Sequence, residues 1–88
     1  MKIKAGFLLR EVAGSYVVVA TGVLAKEFNG IIKLNETGCF LWKRLMENTT
    51  VEALVKALTE EYDVSAEDAA KDVEGFVAML LDAGMLEK

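Results

Sequence analysis

Apolar and polar positions change their period near residue 35. Before it, short apolar and β-branched runs are separated by turn residues; after it, apolar residues recur at helical spacing. Phe7–Val12 is apolar with a polar interruption, Ala13-Gly14-Ser15 is a turn tract, and residues 16–21 are β-branched and aromatic. This pattern predicts a hairpin with a short loop. Gly22 punctuates the chain, and residues 23–28 give no clear period. Asn29-Gly30 is a turn signal, because both residues tolerate positive φ, and Ile31-Ile32-Lys33-Leu34 reads as a third strand.

Three helices follow. Asn35 is a good N-cap, Glu36 suits the positive end of the helix dipole, and Leu34 with Cys39 has the spacing of a hydrophobic staple. A helix over 36–47 places Gly38, Leu41, Trp42 and Leu45 on one face. Thr49-Thr50-Val51-Glu52 reads as a capping box opening a second helix, with Val51, Leu54, Val55, Leu58 and Tyr62 on its stripe. Ser65 opens the longest helix, 66–83, with Ala69, Val73, Phe76, Val77 and Leu80 among its apolar positions. Gly84 closes it, and Met85-Leu86 resumes an extended segment. Strands followed by helices indicate an α+β class. The expected architecture is a single domain over 1–88, winged helix-turn-helix-like, with a three-stranded antiparallel sheet followed by three helices.

Composition narrows the chemistry. The 88 residues include no histidine and one cysteine, Cys39. A histidine general base, a Ser-His-Asp or Cys-His nucleophile, a haem histidine and a structural zinc site cannot be assembled from this chain. The expectation is a non-enzyme with no cofactor and no metal. A single cysteine forms no internal disulfide, which fits a reducing cytoplasm. The first residues do not read as a signal peptide, and no run of ~18 apolar residues suits a membrane span. Cys39 near a helix N-terminus reads as a small buried side chain rather than a reactive thiol.

The net charge of −4 is unevenly placed: residues 1–44 carry +4 and residues 45–88 carry −8. Helix-turn-helix order raises the question of nucleic acid. The third helix carries Lys71 against Glu67, Asp68, Asp72, Glu74 and Asp82, the wrong sign for phosphate. No nucleic-acid partner is therefore expected, and a winged-helix regulator is the rival reading.

Peptide binding fits better. The strand at Ile31–Leu34 would offer a free edge to which a peptide can add by main-chain hydrogen bonds. If the long helix lies beside it, Val73, Phe76, Val77 and Leu80 would line the cleft. Lys26, Lys33, Lys43 and Arg44 would rim it with positive charge suited to an acidic peptide. Proline at Ile32 is then expected to block the edge. The alternative is that these apolar residues bury one another. An open edge also admits a homodimer, a domain swap or a purely structural dimerisation role.

The tract Ile32-Lys33-Leu34-Asn35-Glu36-Thr37-Gly38-Cys39-Phe40-Leu41-Trp42 resembles the Leu-Asn-Glu-Thr-Gly-x-x-Leu-Trp core of the PqqD family. Thr50-Val51-Glu52-Ala53-Leu54, Leu58-Thr59-Glu60-Glu61-Tyr62-Asp63-Val64 and the closing Asp72-Val73-x-x-Phe76-Val77-x-x-Leu80-Leu81-x-x-Gly84-Met85-Leu86 agree with it in order and spacing. The resemblance implies a winged-helix peptide chaperone, or RiPP recognition element. Such a domain binds the leader of a ribosomally made precursor peptide and presents it to a modifying enzyme, often a radical S-adenosylmethionine protein. It also implies that the leader adds to the third strand against the third helix, here Gly30, Ile31, Ile32, Lys33 and Leu34 facing Asp72, Val73, Phe76, Val77 and Leu80. Many family members end the first helix in Asp-Gly, whereas this chain has Glu47-Asn48-Thr49. The pathway product is thus either pyrroloquinoline quinone or that of another peptide pathway.

Overall fold

A computed structural model of the chain describes residues 1–22 and 31–87. The expected Asn29-Gly30 turn, Gly30 itself and Lys26 lie outside the described residues. The elements run β1 (Lys2–Ile3), β2 (Phe7–Val12), β3 (Ser15–Ala20), β4 (Ile32–Leu34), α1 (Glu36–Leu45), α2 (Val51–Glu61), α3 (Ala66–Asp82) and β5 (Leu86–Glu87). The sheet is antiparallel in the order β2-β3-β4, and β1 pairs separately with β5. This is the α+β arrangement of a three-stranded sheet followed by three helices.

Local chemistry sets most boundaries. Ala13 and Gly14 both have positive φ, 51° and 80°, as a two-residue turn between Val12 and its partner Ser15 requires. Asn35, Thr50 and Ser65 cap the helices, accepting from the N–H of Gly38 (2.7 Å), Ala53 (3.1 Å) and Asp68 (3.1 Å). Such caps contribute about 1 kcal/mol each. α3 ends in a Schellman motif: Gly84 (φ 73°) donates to Leu81 C=O and Met85 donates to Leu80 C=O. Two expectations shift. The cap of α2 is Thr50, not Thr49, whose N–H donates to Met1 C=O (2.9 Å). α1 stops at Leu45 rather than residue 47, because Met46 and Glu47 donate to the carbonyls three residues back.

One core joins all layers. It contains Phe7 and Val18 from the sheet, Leu41, Trp42 and Leu45 from α1, Leu54 and Leu58 from α2, and Ala69, Val73, Val77 and Leu80 from α3. Ile3, Met85 and Leu86 close it beneath the β1–β5 pair. Phe7 meets Trp42 edge-to-face at 6.5 Å between centroids, a geometry worth ~1 kcal/mol beyond area burial. Cys39 is buried, as the staple reading expects. No helix among the described residues is long and apolar enough to cross a membrane.

Candidate functional site

The junction from β4 into α1 explains the tract around Asn35. Leu34 and Ile32 turn inward and pack against the core half-buried. Asn35 leaves the strand and caps α1, with its side chain on Gly38. Gly38 sits in a tight spot: a Cβ there would lie 3.1 Å from Asn35 Oδ1, so that the capping side chain would have to give way by a few tenths of an ångström, and 3.4 Å from Phe76 Cε1. The missing Cβ lets α3 approach the first turn of α1, and Phe76 closes one end of the resulting groove.

That groove runs between the β4–α1 junction and α3. Its volume is about 360 Å³ on the side where Thr37, Gly38 and Leu41 face Lys71, Asp72, Gly75, Phe76 and Met79. Past Phe76 and Met79 it continues to Lys33 and Leu34 on β4. Strand and third helix therefore flank one depression.

The register identifies which backbone groups face outward. Thr21 N–H donates to Gly6 C=O at 2.8 Å, so Gly6 and Thr21 form a hydrogen-bonded pair of the antiparallel ladder. Such pairs alternate along the strands, and the same phase covers Arg10–Val17 and Val12–Ser15. Tyr16 and Val18 then direct their backbone groups to β4, making Tyr16–Leu34 and Val18–Ile32 the bonded pairs on that side. Lys33, between them, turns its N–H and C=O away from β3. Among the described residues, β4 has no second neighbour. The open edge is thus Lys33, with Ile31 two residues before it, and proline at Ile32 would cut the β3–β4 ladder instead.

The remaining expected residues divide. Asp72 and Phe76 line the groove, but Val73, Val77 and Leu80 do not: they are 0%, 7% and 0% exposed and belong to the core. The apolar stripe of α3 marks the side that meets α2 and β5, and the groove lies one strip round the helix. Lys33 is at the groove, whereas Lys43 and Arg44 occupy the last turn of α1, at the far end from Thr37 and Gly38. Arg44 lies over the Phe40 ring, 5.2 Å from its centroid, and Phe40 meets Tyr62 edge-on at 5.6 Å. The second cation at the groove is Lys71, 4.0 Å from Glu67. Burial, then Glu36 and Glu61, raise the Tyr62 phenol above its ordinary 10.0; Tyr62 does not line the groove.

Thr37, Leu41, Lys71, Gly75 and Met79 were not legible as groove residues. Lys71, Gly75 and Met79 do share i, i+4, i+8 spacing on the strip beside Asp72 and Phe76, which is the signal that could have marked them. No group of three or more metal-ligating side chains is found among the described residues.

Comparison with known proteins gives three findings. A family model described as coenzyme PQQ synthesis protein D (PqqD) matches residues 8–86. Among solved structures, "TbiB1 in Complex with the TbiA(beta) Leader Peptide" matches with a TM-score of 0.77 and 23% identity, covering 99% of this chain and 95% of that one. "Lasso peptide synthetase B1 complexed with the leader peptide" matches with a TM-score of 0.76 and 21% identity, covering 99% and 96%. No curated protein matches. The two structures share this fold.

Proposed function

This chain belongs to the PqqD family, and from that premise we propose that it is a non-catalytic adaptor for the leader of a ribosomally made precursor peptide. The leader adds antiparallel or parallel to β4 as an extra strand, and alternate side chains enter the groove against α3. Two proteins of the same fold are complexes with leader peptides, which supports this reading. The observation that carries it is the coincidence of an outward-facing Lys33 backbone with a groove built from Leu34, Phe76 and Met79. Main-chain bonds supply affinity in strand addition, and side-chain pockets supply selectivity.

The chemistry falls to a partner. A peptide-modifying enzyme, of the radical S-adenosylmethionine class or another, acts on the presented precursor, in the cytoplasm. The exposed acidic residues of α3, Glu67, Asp68, Asp72, Glu74 and Asp82, oppose docking on phosphate and disfavour a nucleic-acid role.

Lys33→Pro is the test. Proline is tolerated on an edge strand, and here it removes an N–H that β3 does not use. The variant is expected to keep its fold by circular dichroism. Its affinity for a fluorescently labelled synthetic peptide copying the leader encoded beside this gene falls about tenfold, the loss expected of one strong main-chain bond. Lys33→Ala retains most of the affinity. A folded Lys33→Pro variant that binds as tightly as the parent rules out strand addition at this edge.

A further inference from the structure

Gly75 sits in the interior of α3, where glycine is the poorest helix former after proline. Nothing among the described residues accounts for it. Its φ is not positive, unlike those of Gly6, Gly14, Gly22 and Gly84. Beyond its own stretch of helix, a Cβ built at Gly75 would meet no atom of the described residues within 4 Å, whereas at Gly38 it would crowd Asn35 and touch Phe76. Close packing favours glycine at position 38; neither packing against the described residues nor backbone conformation favours it at 75.

Its neighbours give the missing reason. One turn to either side stand Lys71 and Met79, with Asp72 and Phe76 alongside, and all four line the groove together with Gly75. Gly75 is therefore a notch in the ridge of side chains that α3 presents to the groove. A notch between longer side chains receives a knob from whatever packs across it, as in ridges-into-grooves packing.

We propose that Gly75 is a specificity-determining residue of the peptide groove: its missing side chain admits one large apolar side chain of the bound strand, seated between Met79 and Phe76. This rests on the leader-binding reading above. The ligand class it selects is an extended peptide with a bulky apolar residue at the position facing the notch. A peptide with a small residue there gains nothing from the glycine. The helix gives up stability at Gly75 for a contact that exists only in the complex.

The experiment pairs stability with binding. Gly75→Ala is expected to raise Tm by about 4 °C, because alanine is the better helix former and its Cβ enters open space. The same change weakens the labelled synthetic leader about fivefold, and Gly75→Leu, which fills the notch, weakens it at least tenfold more. An alanine scan of the peptide then locates the knob. Truncating that residue costs the parent protein affinity but costs Gly75→Leu almost none, a coupling that a remote effect does not produce. Gly75→Ala with lowered Tm assigns the glycine a folding role and overturns the proposal. Gly75→Leu with unchanged leader affinity overturns it too, while leaving the leader-binding reading intact. A parent protein that does not bind the peptide takes down both.

Discussion

The two faces of α3 differ in a way that hydrophobicity alone does not reveal. One face, Ala69, Val73, Val77 and Leu80, is closed against α2 and β5 within the common core and is almost fully apolar. The adjacent strip, Lys71, Asp72, Gly75, Phe76 and Met79, is mixed in polarity and lines the groove. The first is bought by the hydrophobic effect and serves folding. The second leaves Met79 41% exposed and keeps a glycine where alanine would fold better. A large apolar side chain left half in water beside a notch is a surface prepared for a partner. The core face tolerates nothing but close packing, whereas the groove face is free to vary with the ligand.

The comparison breaks first at Leu80. It is fully buried and anchors the Schellman turn through its carbonyl to Met85. Leu80→Ala is expected to cost about 3 kcal/mol through lost transfer energy and the cavity left behind. A domain of this size holds on the order of 5–10 kcal/mol in total, so urea unfolding should show the midpoint fall by about 30–60%. A loss under about 1 kcal/mol would mean that Leu80 is not the core residue its burial makes it. Any loss of peptide affinity in this variant should vanish once measured on the folded fraction.

Met79, one residue earlier and on the other face, should behave in the opposite sense. Met79→Ala is expected to leave stability within about 1 kcal/mol, because the side chain is already partly in water. It weakens the synthetic leader about fivefold, read by fluorescence anisotropy. If Met79→Ala destabilised the fold as much as Leu80→Ala, the distinction between the faces would fail.

The same distinction explains what was legible in the sequence. Caps and turns are local, so Asn35, Ser65, Gly84 and the Ala13-Gly14 turn could be read from a few neighbouring residues. The helical stripes were legible because burial imposes the 3.6 period, and Leu41, Trp42, Leu45, Leu54 and Leu58 all lie inside. That same strength misdirects the site: Val73, Val77 and Leu80 stand out because they are core. β1 leaves no mark in the sequence, because two residues have no period and its partner β5 lies at the other end of the chain. The outward face of Lys33 depends on the phase of a ladder set at Gly6 and Thr21, which no local pattern carries. Lys43 and Arg44 had the sign of a rim, but charge does not say where on α1 the groove begins.

The smallest expected effect sharpens the polar end of the groove face. Lys71 and Glu67 stand one turn apart at 4.0 Å, with side chains 72% and 82% exposed. An ion pair this exposed contributes at most a few tenths of a kcal/mol, because solvent and salt screen both charges. Glu67→Gln should therefore leave Tm unchanged within about 2 °C. It releases Lys71 from its neighbour beside the groove, so an acidic leader should bind about twofold tighter in low salt, with the gain lost above ~0.5 M as screening shortens the Debye length. Binding that tightens equally at all salt concentrations would assign the effect to shape rather than charge. A Tm change of more than about 5 °C would make Glu67 a structural residue and place this end of α3 with the core face instead.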